Sequence, residues 1–86
     1  MLTLGVDVGG SKLLACVVDD DGEVVDEARQ ETGRATAPDE IVERVAELVW
    51  RFRAEGHALD GIGVGIPGLC DHARGVVRSS IMLEGW

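Results

Sequence analysis

At 86 residues the chain is shorter than a usual full domain and holds at most one core. Sixteen acidic and eight basic side chains give a net charge of −8, spread along the sequence. That balance disfavours nucleic acid and an anionic membrane surface, both of which need a basic patch.

Two cysteines, Cys16 and Cys70, lack CxxC spacing and follow no secretory leader, so they read as reduced thiols. No stretch approaches about 20 continuous apolar residues. The opening Met1-Leu2-Thr3-Leu4-Gly5-Val6-Asp7-Val8 has an acid in its midst and no basic flank. It therefore reads as the first strand of a cytoplasmic protein and not as a targeting peptide.

Leu2, Leu4, Val6 and Val8 alternate with small or polar residues, the period of a strand. Residues 12–19 carry a continuous apolar run, which suits a strand covered on both faces. Asp19-Asp20-Asp21-Gly22 is a solvated turn, lacking the spacing of a calcium loop. Residues 23–30 form a third, more polar strand near an edge, completing an antiparallel meander.

The period then changes. Ile41, Val42, Val45, Leu48, Val49 and Phe52 make one helical stripe. Glu40 with Arg44, and Glu47 with Arg51, sit one turn apart on the wet side. Thr36 with Asp39 predicts a capping box, Pro38 fits the first turn, and Gly56 is the stop. Trp50 and Phe52 are expected to pack. In residues 59–67 glycine alternates with Ile62, Val64 and Ile66, so one face is apolar and the other is bare backbone, open to a close neighbour. Pro67-Gly68 ends that strand, Asp71 to Gly75 is a polar turn, and Val76-Val77-Arg78 is a short extended piece. His57 and His72 have no partner at ligand spacing and read as surface residues.

Asp7-Val8-Gly9-Gly10-Ser11-Lys12 carries the most chemistry. A two-glycine turn leaves backbone N–H groups bare for an anion, Ser11 adds a hydroxyl and Lys12 a positive charge. Asp7, just ahead, could hold Mg²⁺ through its waters. A Gly-Gly type I′ hairpin without any ligand explains the same residues. The segment matches neither a Walker A loop nor a dinucleotide fingerprint. A second motif, Gly65-Ile66-Pro67-Gly68, follows after one helix and one strand.

Together with the closing Gly85-Trp86, these two motifs in register resemble the start of ROK kinases, over essentially the whole chain. The resemblance implies an α/β fold, with residues 1–86 the incomplete N-terminal part of an actin-like, ribonuclease-H-like ATPase domain in the order β-β-β-α-β. It implies an ATP-dependent, glucokinase-like sugar kinase that is a homo-oligomer at full length. Asp7, Gly9, Gly10, Ser11 and Lys12 would grip the phosphates of ATP, with Asp7 towards Mg²⁺. Gly68 and Ser80 would line the sugar pocket. Met82 stands where glucokinase-like members commonly carry asparagine, and methionine offers a sugar hydroxyl no strong hydrogen bond. No catalytic residue is assigned, because in relatives the base, second phosphate loop, adenine pocket and zinc site lie beyond residue 86. The alternatives are a non-catalytic remnant that binds nucleotide or a partner weakly, and a ROK transcriptional repressor. The latter would need a DNA-binding segment ahead of the first strand.

Overall fold

Alternation along the first strand sends Leu4, Val6 and Val8 to one face, and along the second sends Leu13, Ala15 and Val17 to the same face. Ile41, Leu48 and Phe52 of the helix close over them, and all nine side chains are buried. The computed structural model describes residues 1–32 and 37–80. Its elements are β1 (Leu2–Val8), β2 (Lys12–Val18), β3 (Val24–Glu31), α1 (Pro38–Ala54), β4 (Leu59–Gly65), β5 (Leu69–Asp71) and β6 (Val76–Ser79).

The main sheet runs β3-β2-β1-β4. β1 pairs antiparallel with β2 and parallel with β4, which α1 makes possible as the crossover. β3 is an edge strand, as its polarity predicts. β5 and β6 form a separate antiparallel hairpin. Among the described residues no helix is long and apolar enough to cross a membrane.

The helix starts at Pro38 with Ala37 as its N-cap, which supplies no side-chain cap bond. Thr36, the first residue of the predicted capping box, lies outside the described residues. The C-terminus is as predicted. Gly56 takes φ +99, its N–H donates to the Arg53 carbonyl and the His57 N–H to that of Phe52. That is a complete Schellman motif. Arg44 pairs with Glu40 at 3.2 Å as expected, whereas Arg51 turns to Glu55 at 3.1 Å rather than to Glu47.

Three expectations need correction. Trp50 is 68 % exposed, with the Arg53 guanidinium 6.0 Å from its ring centre, so only Phe52 of that pair packs inside. Its position is rotated off the buried stripe, which the Ile41, Leu48 and Phe52 spacing defines. β2 is covered on one face: Leu14 is exposed and Cys16 half-buried on the other. His57 is no isolated surface residue, because its Nε2 lies 3.0 Å from Asp26 Oδ2 on β3. That hydrogen bond, followed by one from the Glu27 N–H, holds the Asp26 carboxyl below the usual carboxylate range.

Candidate functional site

The sheet has two unlike faces. One carries the core; the other carries Gly5 and Asp7 of β1, Leu14 and Cys16 of β2, and Gly63 and Gly65 of β4. These residues border a shallow trough of about 610 Å³. A Cβ built on Gly5 or Gly63 meets nothing within 4 Å, so the glycines keep a floor of bare backbone. At one end of the floor, Asp7 Oδ1 lies 3.8 Å from the position a Gly65 Cβ would take. Glycine there leaves the carboxylate room on the side of β4.

The turn after β1 is closed by the Gly9 N–H, which donates to the Lys12 carbonyl at 2.8 Å. The Thr32 N–H donates to the Ser11 carbonyl at 2.8 Å and fastens the turn to the end of β3. The N–H groups of Gly10 and Ser11 have no backbone partner among the described residues, and Ser11 is exposed. Positive φ in the described residues falls on Gly22, Gly56 and Gly75, so the Gly9-Gly10 pair is not a type I′ turn. Glycine at position 9 answers a close approach instead, since a Cβ would sit 3.2 Å from the Lys12 carbonyl oxygen. The turn can thus present two N–H groups, a hydroxyl and an ammonium to an anion, beside a carboxylate suited to a hydrated cation.

Parallel pairing brings the second motif alongside. Asp7 stands opposite Gly65, so the 9–12 turn and the Pro67-Gly68 turn leave the same end of the sheet. The carboxyl ends of parallel strands are where open α/β sheets bind ligands. Gly68 and Ser80 are also brought together, because the Ser80 hydroxyl donates to the Pro67 carbonyl. Gly68 has a packing reason to be glycine. A Cβ there would run into the Ser79 carbonyl oxygen and lie 3.3 Å from Val77 Cγ1. Gly68→Ala is expected to destabilise the β5–β6 hairpin by about 1–3 kcal/mol. Faster amide hydrogen exchange at Cys70 and Val77, with exchange in β1 and β2 unchanged, is the measurement.

Asp71 behaves as the turn residue the sequence predicts. It accepts from the Arg74 N–H at 3.2 Å and meets Arg78 at 3.3 Å. Met82, Gly85 and Trp86 lie outside the described residues. Sequence reasoning missed Gly65 as the neighbour of Asp7 and the Thr32 bond that fixes the turn. The alternating glycines of β4 carried a signal for the first; nothing local carried one for the second.

Comparison with known proteins gives a consistent set of relatives. The model of the ROK family matches residues 3–83. Glucokinase of Streptomyces coelicolor is 37% identical over 76 residues, covering 88% of this chain and 23% of that protein. Glucokinase of Thermotoga maritima is 28% identical over 83 residues, covering 96% of this chain and 26% of that protein. The crystal structure of a ROK family glucokinase from Streptomyces griseus, in complex with glucose and AMPPNP, superposes with a TM-score of 0.82 at 31% identity. It covers 98% of this chain and 26% of that one. The chain thus spans about a quarter of the length of the relatives it matches.

Proposed function

Given that the chain belongs to the ROK family, we propose that it is the N-terminal segment of an ATP-dependent sugar kinase, contributing the phosphate-binding turn and part of the sugar pocket. The observation that carries this reading is the β1–β4 register, which sets Asp7 and the glycine turn beside Gly65 and Pro67-Gly68 at one sheet end. The Streptomyces griseus relative holds glucose and an ATP analogue on the same fold, which supports assigning the two motifs to sugar and nucleotide.

The residues suit both groups. Gly10 and Ser11 offer N–H groups without backbone partners among the described residues, and Lys12 adds charge for phosphate. Asp7 is exposed and unobstructed on the Gly65 side, as a carboxylate must be to hold Mg²⁺ that keeps several waters. When bound, ATP supplies the γ-phosphoryl group and Mg²⁺ offsets its charge. The chain's own part is to bind and orient. Ser11 and the turn amides fix the phosphates, and the Ser80–Pro67 bond holds the Gly68 loop against the hairpin. The whole protein is proposed to be cytoplasmic and homo-oligomeric, with a small sugar as its partner.

The test is an ADP-release assay on the complete product of the reading frame, with ATP, Mg²⁺ and a panel of hexoses and N-acetylhexosamines. Sugar-dependent ADP release for at least one member is the expected result. Release with none of them would overturn the kinase reading.

A further inference from the structure

At the far end of the sheet from the candidate site, three ligand-bearing side chains from separate elements converge. Asp26 comes from β3, Glu55 caps the helix, and His57 leads into β4. One ligand atom from each lies within 4.8 Å of the other two. The register separates them from the turn at residues 9–12. Asp26 pairs with Val17, and Leu59 pairs with Leu2, near the start of β1 rather than its end.

The backbone holds this group in place. His57 occupies the position after Gly56 in the Schellman motif, and its N–H donates to the Phe52 carbonyl at 3.1 Å. Its ring is tilted against that of buried Phe52, with centroids 6.1 Å apart. On the other side, the Asp26 strand is fixed in the β2–β3 ladder. Arg51 engages Glu55 Oε1 at 3.1 Å, a contact between exposed side chains that a cation can displace. The helix C-terminus lies here, and the negative end of its dipole favours a cation.

We propose that Asp26, Glu55 and His57 form a surface site for a divalent first-row transition-metal cation, of the Zn²⁺ type. Zn²⁺ takes imidazole nitrogen and carboxylate oxygen at about 2.0–2.2 Å, so neighbouring ligand atoms in a tetrahedral shell lie about 3.4 Å apart. The 3.0 Å between His57 Nε2 and Asp26 Oδ2 already approaches that edge. Glu55 has to move in by about 1 Å, which a side-chain rotation at a helix end supplies. The cation takes the place of the proton shared between His57 and Asp26, and water completes the fourth position. A mixed imidazole and carboxylate set selects such a cation over Mg²⁺, which prefers all-oxygen surroundings. The site does not depend on the sugar kinase reading.

The experiment is competition for Zn²⁺ between the chain and a chromophoric chelator, at micromolar protein and neutral pH. Wild-type protein should take one equivalent, and so should His72→Gln and the double variant Cys16→Ser, Cys70→Ser. His57→Gln should abolish that step, and Glu55→Gln should weaken it at least about tenfold. Circular dichroism checks that each variant is folded. Glu55 is exposed, so its variant keeps the test open if His57→Gln does not fold. No one-equivalent step in wild type, a step lost with the cysteines, or one undiminished in Glu55→Gln would each overturn the proposal. His57 and Asp26 would then be a hydrogen-bonded pair that ties the helix end to β3.

Discussion

Phe52→Ala is expected to cost the chain a large part of its folding stability. Phe52 is fully buried and is the largest side chain in the core. Its truncation removes aromatic contacts and leaves a cavity, for about 3–5 kcal/mol. A chain of this size has roughly 4–13 kcal/mol in all, at the usual stability per residue. Every other helical contribution to the core is an aliphatic residue from the same stripe, Ile41 and Leu48, with Val45 and Val49 partly buried beside them. None of them can fill the vacancy from its own position on the helix. Urea denaturation followed by circular dichroism measures the loss. A midpoint within error of wild type would show that α1 does not hold the sheet as described.

Asp7→Ala is expected to weaken AMPPNP binding in Mg²⁺ about 10- to 100-fold, taking a charge-assisted contact as about 1.5–3 kcal/mol and 1.4 kcal/mol as tenfold. Asp7 is exposed on the open face, outside the buried cluster, so the thermal melt should not change. The loss should disappear when Mg²⁺ is chelated, because Asp7 is assigned to the cation and not to phosphate. Ser11→Ala removes one neutral hydroxyl donor and should cost about 2- to 10-fold, with or without Mg²⁺. The two variants thus separate a metal role from a phosphate role. Unchanged affinity in Asp7→Ala would refute the assignment of that residue, whatever Ser11 does.

β1, β2 and the helix were legible because each buries one face, and burial imposes a period; β4 was readable from glycine alternating with Ile62 and Val64, although both stay about half exposed. Leu4, Val6 and Val8 announce their strand by alternation; Ile41, Leu48 and Phe52 announce the helix. What the period does not encode was missed. Leu69, Cys70 and Asp71 are too few to alternate detectably, so β5 was not foreseen. His57 meets Asp26 across 31 residues, a tertiary contact that spacing along the chain cannot report. At the candidate site, residue types were readable and their reasons were less so. Gly9 looked like a residue chosen for positive φ, yet it is needed for a close approach to the Lys12 carbonyl. Gly68 looked like a place for a ligand, and it is also where β6 comes too near for any side chain.

The position of β1 has a consequence for how the chain acquires its structure. Leu4 meets Val17 across a short hairpin but meets Ile62 only across the whole helical crossover. Local hairpins close in microseconds, whereas distant pairings wait on loop closure. β1 is therefore an interior strand of the sheet, with one edge unpaired until residues 59–65 join it. Pairing of β4 is then expected late, after the main barrier. Substitutions at Ile62 or Val64 should accelerate unfolding more than they retard folding, and those at Val17 or Leu13 should do the reverse.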